Sequence, residues 1–111
     1  MNYKQEISNT PVTLVEFYAT WCPHCRNMMP VVDRVKEALS GKASVIQIDA
    51  DKSEDIADNE KVEVYPTFIL YKNGREVWRD TGEIDSKTLM SKVESYLMDC
   101  DPFPIFSTPE C

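Results

Sequence analysis

Short apolar runs separated by polar turn residues dominate the first eighty positions of the chain. Residues 12–18, 43–49 and 67–71 are rich in β-branched, aliphatic and aromatic side chains, which favours strands. The first run is apolar enough for the centre of a sheet, and the second reads as a strand parallel to it. The residues 72–75, Lys-Asn-Gly-Arg, predict a hairpin turn into a return strand over 76–80. The pattern therefore predicts a mixed sheet of about four strands.

Helical spacing marks the segments between these strands and after them. Downstream of residue 25 apolar side chains recur near helical spacing, Gly41 supplies a stop, and Pro30 predicts a kink. The apolar positions of this helix are Met28, Met29, Val32, Val35 and Leu39. Residues 2–9 predict a short helical turn, and Ser53 opens another short helix. The element order predicts an α/β fold with helices on both faces of the sheet.

A last amphipathic helix is predicted over 85–98, with Asp85 or Ser86 as its N-cap. Its expected apolar face consists of Ile84, Leu89, Val93, Tyr96 and Leu97. With 111 residues the chain fits one domain, which we place at 1–98. The remaining segment, 99–111, is proline-rich and predicted to be extended.

Charge and hydropathy exclude several classes of partner. The formal net charge of −7 argues against nucleic acid and anionic membranes. No apolar run approaches the ~18–20 residues of a membrane span. The polar N-terminus carries no apolar signal-peptide region, which favours a cytoplasmic protein, or a periplasmic one if a leader was removed. A monomer is expected.

The segment Cys22-Pro-His-Cys25 carries the clearest chemical signal. It lies between the first strand and the long helix, so Cys22 is predicted at a helix N-terminus, which favours the reactive thiolate. Two thiols at this spacing can alternate between dithiol and disulfide. The alternatives are a structural pair or a zinc site completed from His24, Cys100 and Cys111. We favour redox chemistry without a metal or any other bound cofactor. Haem attachment is excluded because Arg26, not histidine, follows the second cysteine.

Several motifs together resemble the thioredoxin family over roughly residues 3–98. They are Leu14-Val-Glu-Phe-Tyr, Trp21-Cys-Pro-His-Cys, Pro30, Val64-Tyr-Pro-Thr-Phe, Lys72-Asn-Gly and Gly82, in thioredoxin order and at thioredoxin-like spacings. The resemblance implies a thioredoxin fold in which the family's first strand is missing ahead of the opening helix. It also implies a thiol–disulfide oxidoreductase that acts on protein thiols and disulfides.

The resemblance assigns roles to individual positions. Cys22 would be the attacking nucleophile, and Cys25, more buried, would resolve the mixed disulfide. Pro66 would be the family's cis-proline, which helps form the groove for a substrate's extended backbone. Tyr65 would tune substrate release and selectivity, and Gly82 would let a substrate chain approach closely. A trans proline at Pro66 and a simple turn glycine at Gly82 are the plainer alternatives.

The surroundings of the dithiol are also implied by the resemblance. Glu16 would be the buried acid beneath the active site, which exchanges protons with the resolving cysteine through water. The plainer alternative is a solvent-facing carboxylate. The lysine that pairs with this acid in many thioredoxins is aligned with Val45, which predicts a Glu16 that stays neutral to higher pH. Trp21 is expected to pack beside the dithiol and shield it.

Pro23 and His24 depart from the Gly-Pro dipeptide of thioredoxins and resemble the periplasmic disulfide-forming oxidants. An imidazole near the Cys22 sulfur would favour the thiolate and make the disulfide a better oxidant. The rest of the chain, which resembles thioredoxin throughout, nevertheless favours a reductase. Its separate redox partner would be a thioredoxin reductase or a membrane redox protein. The alternatives are a disulfide oxidase or isomerase, and a redox-inert binding module. No catalytic role is expected for Cys100 and Cys111, although Cys111 could reach Cys22 as an internal substrate.

Overall fold

The computed structural model describes residues 2–97. The predictions for the tail, Cys100 and Cys111 among them, concern positions outside that range. Within it, no helix combines the length and the apolar character that crossing a membrane requires.

Four strands and four helices alternate along the described residues. The strands are β1 (Val12–Tyr18), β2 (Ser44–Asp49), β3 (Thr67–Lys72) and β4 (Arg75–Thr81). The helices are α1 (Tyr3–Glu6), α2 (Pro23–Ala38), α3 (Glu54–Asn59) and α4 (Ser86–Leu97). The sheet order is β2-β1-β3-β4, with β1 parallel to β2 and antiparallel to β3. The predicted mixed sheet is confirmed, and within residues 2–97 α1 rather than a strand precedes β1.

Alternation along β1 divides the core into two layers, because successive strand side chains point to opposite faces. Val12 and Leu14 pack with α2 and α4, whereas Val15 and Phe17 pack with α1 and α3. Six of the seven β1 residues are buried, which fits its position inside the sheet. The C-terminal end of β1 is therefore held firmly where the chain turns toward the cysteines.

Three details of the predicted helices are settled by the structure. Met29 lies on the exposed side of α2, so its assignment to the apolar face was wrong, whereas Met28 is buried. The side chain of Asp85 accepts the Thr88 backbone N–H at 3.1 Å, which makes Asp85 the N-cap of α4. Pro30 lies inside α2, which is helical on both sides of it.

Replacing Gly74 with alanine is expected to lower the free energy of unfolding by about 1–3 kcal/mol, measured by urea titration. Gly74 has a φ of 81° in the β3–β4 turn, and an added Cβ would lie 2.7 Å from Ser8 Oγ. Gly41→Ala is the control, because Gly41 has the same φ and open space around an added Cβ. If both variants lose the same free energy of unfolding, the steric clash with Ser8 makes no contribution to the loss in Gly74→Ala.

Candidate redox site

The chain turns into α2 at the first cysteine. Cys22 precedes the helix with extended backbone angles (φ −87°, ψ 119°), and Pro23 takes the first helical position, where the helix needs no N–H. The Cys22 carbonyl accepts the Arg26 N–H at 3.1 Å and closes the first turn. Cys22 therefore lies at the positive end of the helix dipole, where negative charge is stabilised, and Cys25 lies inside the first turn.

The two thiols are unpaired with each other and lie in a small buried cluster. Cys22 is 5% exposed and Cys25 is 3% exposed, and the side chains of Tyr18 and Tyr65 pack against them. The Cys22 thiol donates a hydrogen bond of 3.5 Å to the Tyr65 carbonyl. Burial is the main cause that raises the pKa of Cys25 to about 12, and the neighbouring Cys22 thiol adds to it. Cys25 therefore keeps its proton at neutral pH.

The segment opposite the first cysteine contains the predicted cis bond. The Tyr65–Pro66 peptide is cis, which confirms that part of the prediction for Pro66. The Pro66 carbonyl accepts the N–H of Gly82 at 2.9 Å, so the end of β4 is joined to the start of β3. A Cβ added at Gly82 would meet no atom within 4 Å, and Val64 is exposed. The surface beside Cys22 is therefore open, while Cys22 itself stays covered by Tyr65.

Glu16 lies in the β1 face beneath α2 and is only 2% exposed, so it is not a solvent-facing carboxylate. Burial is the main cause that raises its pKa, Asp33 adds to it, and a hydrogen bond of 3.0 Å from Gln47 Nε2 opposes it. The strand register pairs Glu16 with Gln47 and Leu14 with Val45. Aligning Val45 with the partner of the acid was therefore wrong: the neighbour of Glu16 is an uncharged amide.

A cavity of about 430 Å³ connects Glu16 with the second cysteine. Its lining consists of Glu16, Tyr18, Ala19, Thr20, Cys25, Arg26, Met29 and Gln47. It contains no residue of the 64–66 segment and does not include Cys22. The cavity is large enough for several water molecules; most of its lining is apolar, and Glu16, Arg26 and Gln47 supply the polar groups that could bind them. A carboxyl and a thiol that line one such space can exchange a proton through water.

Trp21 does not shield the thiols as expected. Its side chain is 60% exposed, and its Nε1–H donates to Asp51 Oδ2 at 2.9 Å. The indole meets the ring of Tyr65 edge-on, with 6.0 Å between the ring centroids. The covering side chains at the dithiol are Tyr18 and Tyr65 instead. Trp21 therefore presents an aromatic surface next to the cysteines rather than over them.

The His24 imidazole turns toward the loop after β4. Its Nδ1 lies 2.7 Å from Glu83 Oε2, and the same oxygen accepts an N–H from Asn27 at 3.1 Å. The hydrogen bond with His24 is the main cause that lowers the pKa of Glu83. In the described residues no hydrogen bond joins His24 to Cys22, whose thiol is bonded to Tyr65.

Sequence reasoning missed Gln47, Asp51 and Glu83 as neighbours of the site. All three are separated from their partners by long stretches of chain, such as the 59 positions between His24 and Glu83. An exact β1–β2 register would have identified Gln47, but exposed acids such as Asp51 and Glu83 leave no local pattern. No group of three or more histidine, cysteine or acidic side chains suited to a metal occurs among residues 2–97.

The thioredoxin family model matches residues 1–95 of the chain. The chloroplastic thioredoxin Y of Oryza sativa subsp. japonica is 42% identical over 92 residues, which cover 83% of this chain and 54% of the relative. Thioredoxin 1 of Nostoc sp. is 34% identical over 97 residues, which cover 86% of this chain and 90% of the relative. The chain spans about half the length of the plant relatives it matches.

The fold is also similar to solved structures. A mutant thioredoxin from Halobacterium salinarum NRC-1 superposes with a TM-score of 0.80 at 32% identity, covering 90% of this chain and 86% of that one. Mitochondrial thioredoxin 3 of Saccharomyces cerevisiae, in its oxidised form, gives a TM-score of 0.76 at 28% identity, covering 84% and 86%.

Proposed function

Because the chain belongs to the thioredoxin family, we propose that it is a thiol–disulfide oxidoreductase that exchanges disulfides with protein substrates. The observation that carries the proposal is the position of the Cys22 sulfur. It lies at a helix N-terminus, next to Cys25, and bonds to the carbonyl just before cis Pro66. A substrate disulfide that lies along this segment would be next to the Cys22 sulfur, and would reach it once the Tyr65 side chain that covers it moves aside.

In the proposed reaction the Cys22 thiolate attacks one sulfur of a substrate disulfide. A mixed disulfide forms, and the other substrate sulfur leaves as a thiolate. Cys25 then loses its proton and attacks the Cys22 sulfur. The second substrate thiolate leaves, a Cys22–Cys25 disulfide remains, and two electrons have passed to the substrate. No bound cofactor is needed for either step.

The high pKa of Cys25 gives the second step its timing. The Cys25 thiol does not attack the Cys22 sulfur until a base has taken its proton. The mixed disulfide between Cys22 and the substrate therefore has time to form. Glu16 is the base we propose, because it lines the same cavity as Cys25 and its raised pKa brings its proton affinity closer to that of a thiol. Glu16 would return the proton when the disulfide is reduced again.

We propose the reducing direction for this exchange. Electrons would come from a separate protein, a thioredoxin reductase or a membrane redox protein. A reductase of this kind operates where thiols are kept reduced, such as the cytoplasm. A reduction potential near the thioredoxin value of about −270 mV supports this direction, whereas one near −120 mV supports a disulfide-forming oxidant.

The proposal is tested by insulin reduction with dithiothreitol as the electron donor. The chain is expected to accelerate precipitation of the insulin B chain well above the rate with dithiothreitol alone. Cys22→Ser is the control and is expected to return the rate to that background. Equal activity of the variant and the unaltered chain would overturn the assignment of Cys22. Background rates for both would favour the redox-inert binding module.

A further inference from the structure

One carboxylate joins the two segments that face each other at the dithiol. Glu83 Oε2 accepts one hydrogen bond from Asn27 and pairs with Nδ1 of His24, and both residues lie in the first turns of α2. Glu83 directly follows Gly82, whose N–H is bonded to the Pro66 carbonyl. The carboxylate is thus anchored to the cis-proline segment while it holds the histidine of the Cys-Pro-His-Cys motif.

The orientation of His24 matters because its charge can act on the first cysteine. An imidazolium beside a thiolate stabilises the reduced dithiol and makes the disulfide a stronger oxidant. In this chain the ring is 66% exposed and is paired with a carboxylate, while the Cys22 thiol bonds to Tyr65. When the imidazole carries a proton, the carboxylate paired with it offsets that charge as seen from the sulfur.

We propose that Glu83 is a positioning residue that holds His24 away from the Cys22 sulfur and keeps the dithiol reducing. The inference rests on the proposed thiol–disulfide exchange and concerns its direction. The proposal explains how the dipeptide Pro23-His24, which resembles that of disulfide-forming oxidants, can occur in a chain whose other motifs favour a reductase. His24 would act on the Cys22 thiolate only when its pairing with Glu83 is lost, and Glu83 acts only through His24.

The test is the equilibrium of the purified chain with glutathione at neutral pH. In this reaction the Cys22 and Cys25 thiols pass two electrons and two protons to glutathione disulfide. The products are the intramolecular disulfide and two glutathione thiols. Glu83→Gln keeps the shape of the side chain and removes its charge. The equilibrium constant for oxidation of the chain is expected to fall about threefold to tenfold, where tenfold corresponds to about 30 mV.

A double-mutant cycle separates positioning from simple loss of charge. In a His24→Ala background, Glu83→Gln is expected to change the equilibrium constant by less than about twofold. Glu94→Gln removes one charge from the exposed side of α4 and is expected to leave the constant unchanged. An equal shift with and without His24, or no shift in either background, would overturn the proposal.

Two further measurements keep the result interpretable. Urea unfolding of each variant reports any loss of stability, which by itself does not move the redox equilibrium of the folded chain. The rate of Cys22 alkylation by iodoacetamide is expected to rise in Glu83→Gln only when His24 is present. The glutathione equilibrium needs no protein substrate, so failure in the insulin assay and failure of the Glu83 proposal are distinguished.

Discussion

Cys25→Ser is expected to convert the chain from a catalyst into a trap for its own substrates. Cys22 can still attack a substrate disulfide, but no second thiol is present to release it. After the variant has been reduced and freed of dithiothreitol, which would otherwise release the complex, about one substrate cysteine per molecule of the chain should stay bound to it covalently. The measurement is non-reducing electrophoresis with mass spectrometry, which should show a mixed disulfide between Cys22 and a substrate cysteine.

The matched control is the double variant Cys22→Ser, Cys25→Ser. It should form no covalent complex. The only cysteines left in this variant are Cys100 and Cys111, and neither is expected to attack a substrate disulfide. A complex linked through Cys100 or Cys111 would contradict the expectation that these cysteines have no catalytic role. Recovery of full turnover in Cys25→Ser would contradict the assignment of Cys25 as the resolving thiol.

Glu16→Gln is expected to raise the free energy of unfolding at neutral pH by roughly 1–3 kcal/mol. The amide has the same shape and can still accept the hydrogen bond from Gln47, but it carries no charge into the core. Because burial raises the pKa of Glu16, the folded chain binds its proton more tightly than the unfolded chain does. Stability from Glu16 is therefore complete below the ordinary glutamate pKa of 4.5 and is lost as pH rises through the folded-state pKa.

Urea titrations across this pH range measure the effect. Glu16→Gln should flatten the decline in stability with rising pH that the unaltered chain shows. If the variant and the unaltered chain show the same dependence of unfolding free energy on pH, the pKa of Glu16 is not raised in the folded chain.

The same substitution should slow the release of substrate. Without a base in the cavity, deprotonation of Cys25 is expected to become about tenfold to a hundredfold slower. Rapid-mixing measurements of the mixed disulfide would report this step separately from the attack by Cys22. Gln47→Leu is the comparison, because it removes the hydrogen bond to Glu16 and keeps the base. A loss of the same size in both variants would contradict a role for the Glu16 proton.

The apolar runs were sufficient to predict the sheet and the helices. β1 coincides with the predicted run 12–18, because a strand buried on both faces leaves a mostly apolar run, interrupted here only by Thr13 and Glu16. The partner of Glu16 could not be assigned in this way. The β1–β2 register depends on how a long helix returns the chain to the sheet, so Val45 and Gln47 were not distinguished. An error of two residues in the β2 register leaves the side chain on the same face of the sheet and changes only which residue lies beside Glu16.

The orientations of Trp21 and His24 were beyond sequence reasoning for a different reason. Both side chains lie at the surface, where no core packing dictates a rotamer, and each is directed by an acid distant in the chain. The Cys22–Cys25 pair was predictable because its chemistry depends on local spacing at a helix start. The groups around the pair come from the loop after β2, the Tyr65–Pro66 segment before β3 and the loop after β4, which only the fold brings together.

The cavity beneath α2 gives the two cysteines separate access routes. Cys22 faces the Tyr65–Pro66 segment, whereas Cys25 lines a cavity whose rim includes the exposed Met29 side chain. A protein docked on the first side can therefore exclude bulk solvent from the reacting sulfurs without closing the second. In the proposed exchange, substrate and proton would therefore travel by different routes, so that tight docking and fast proton release would not compete.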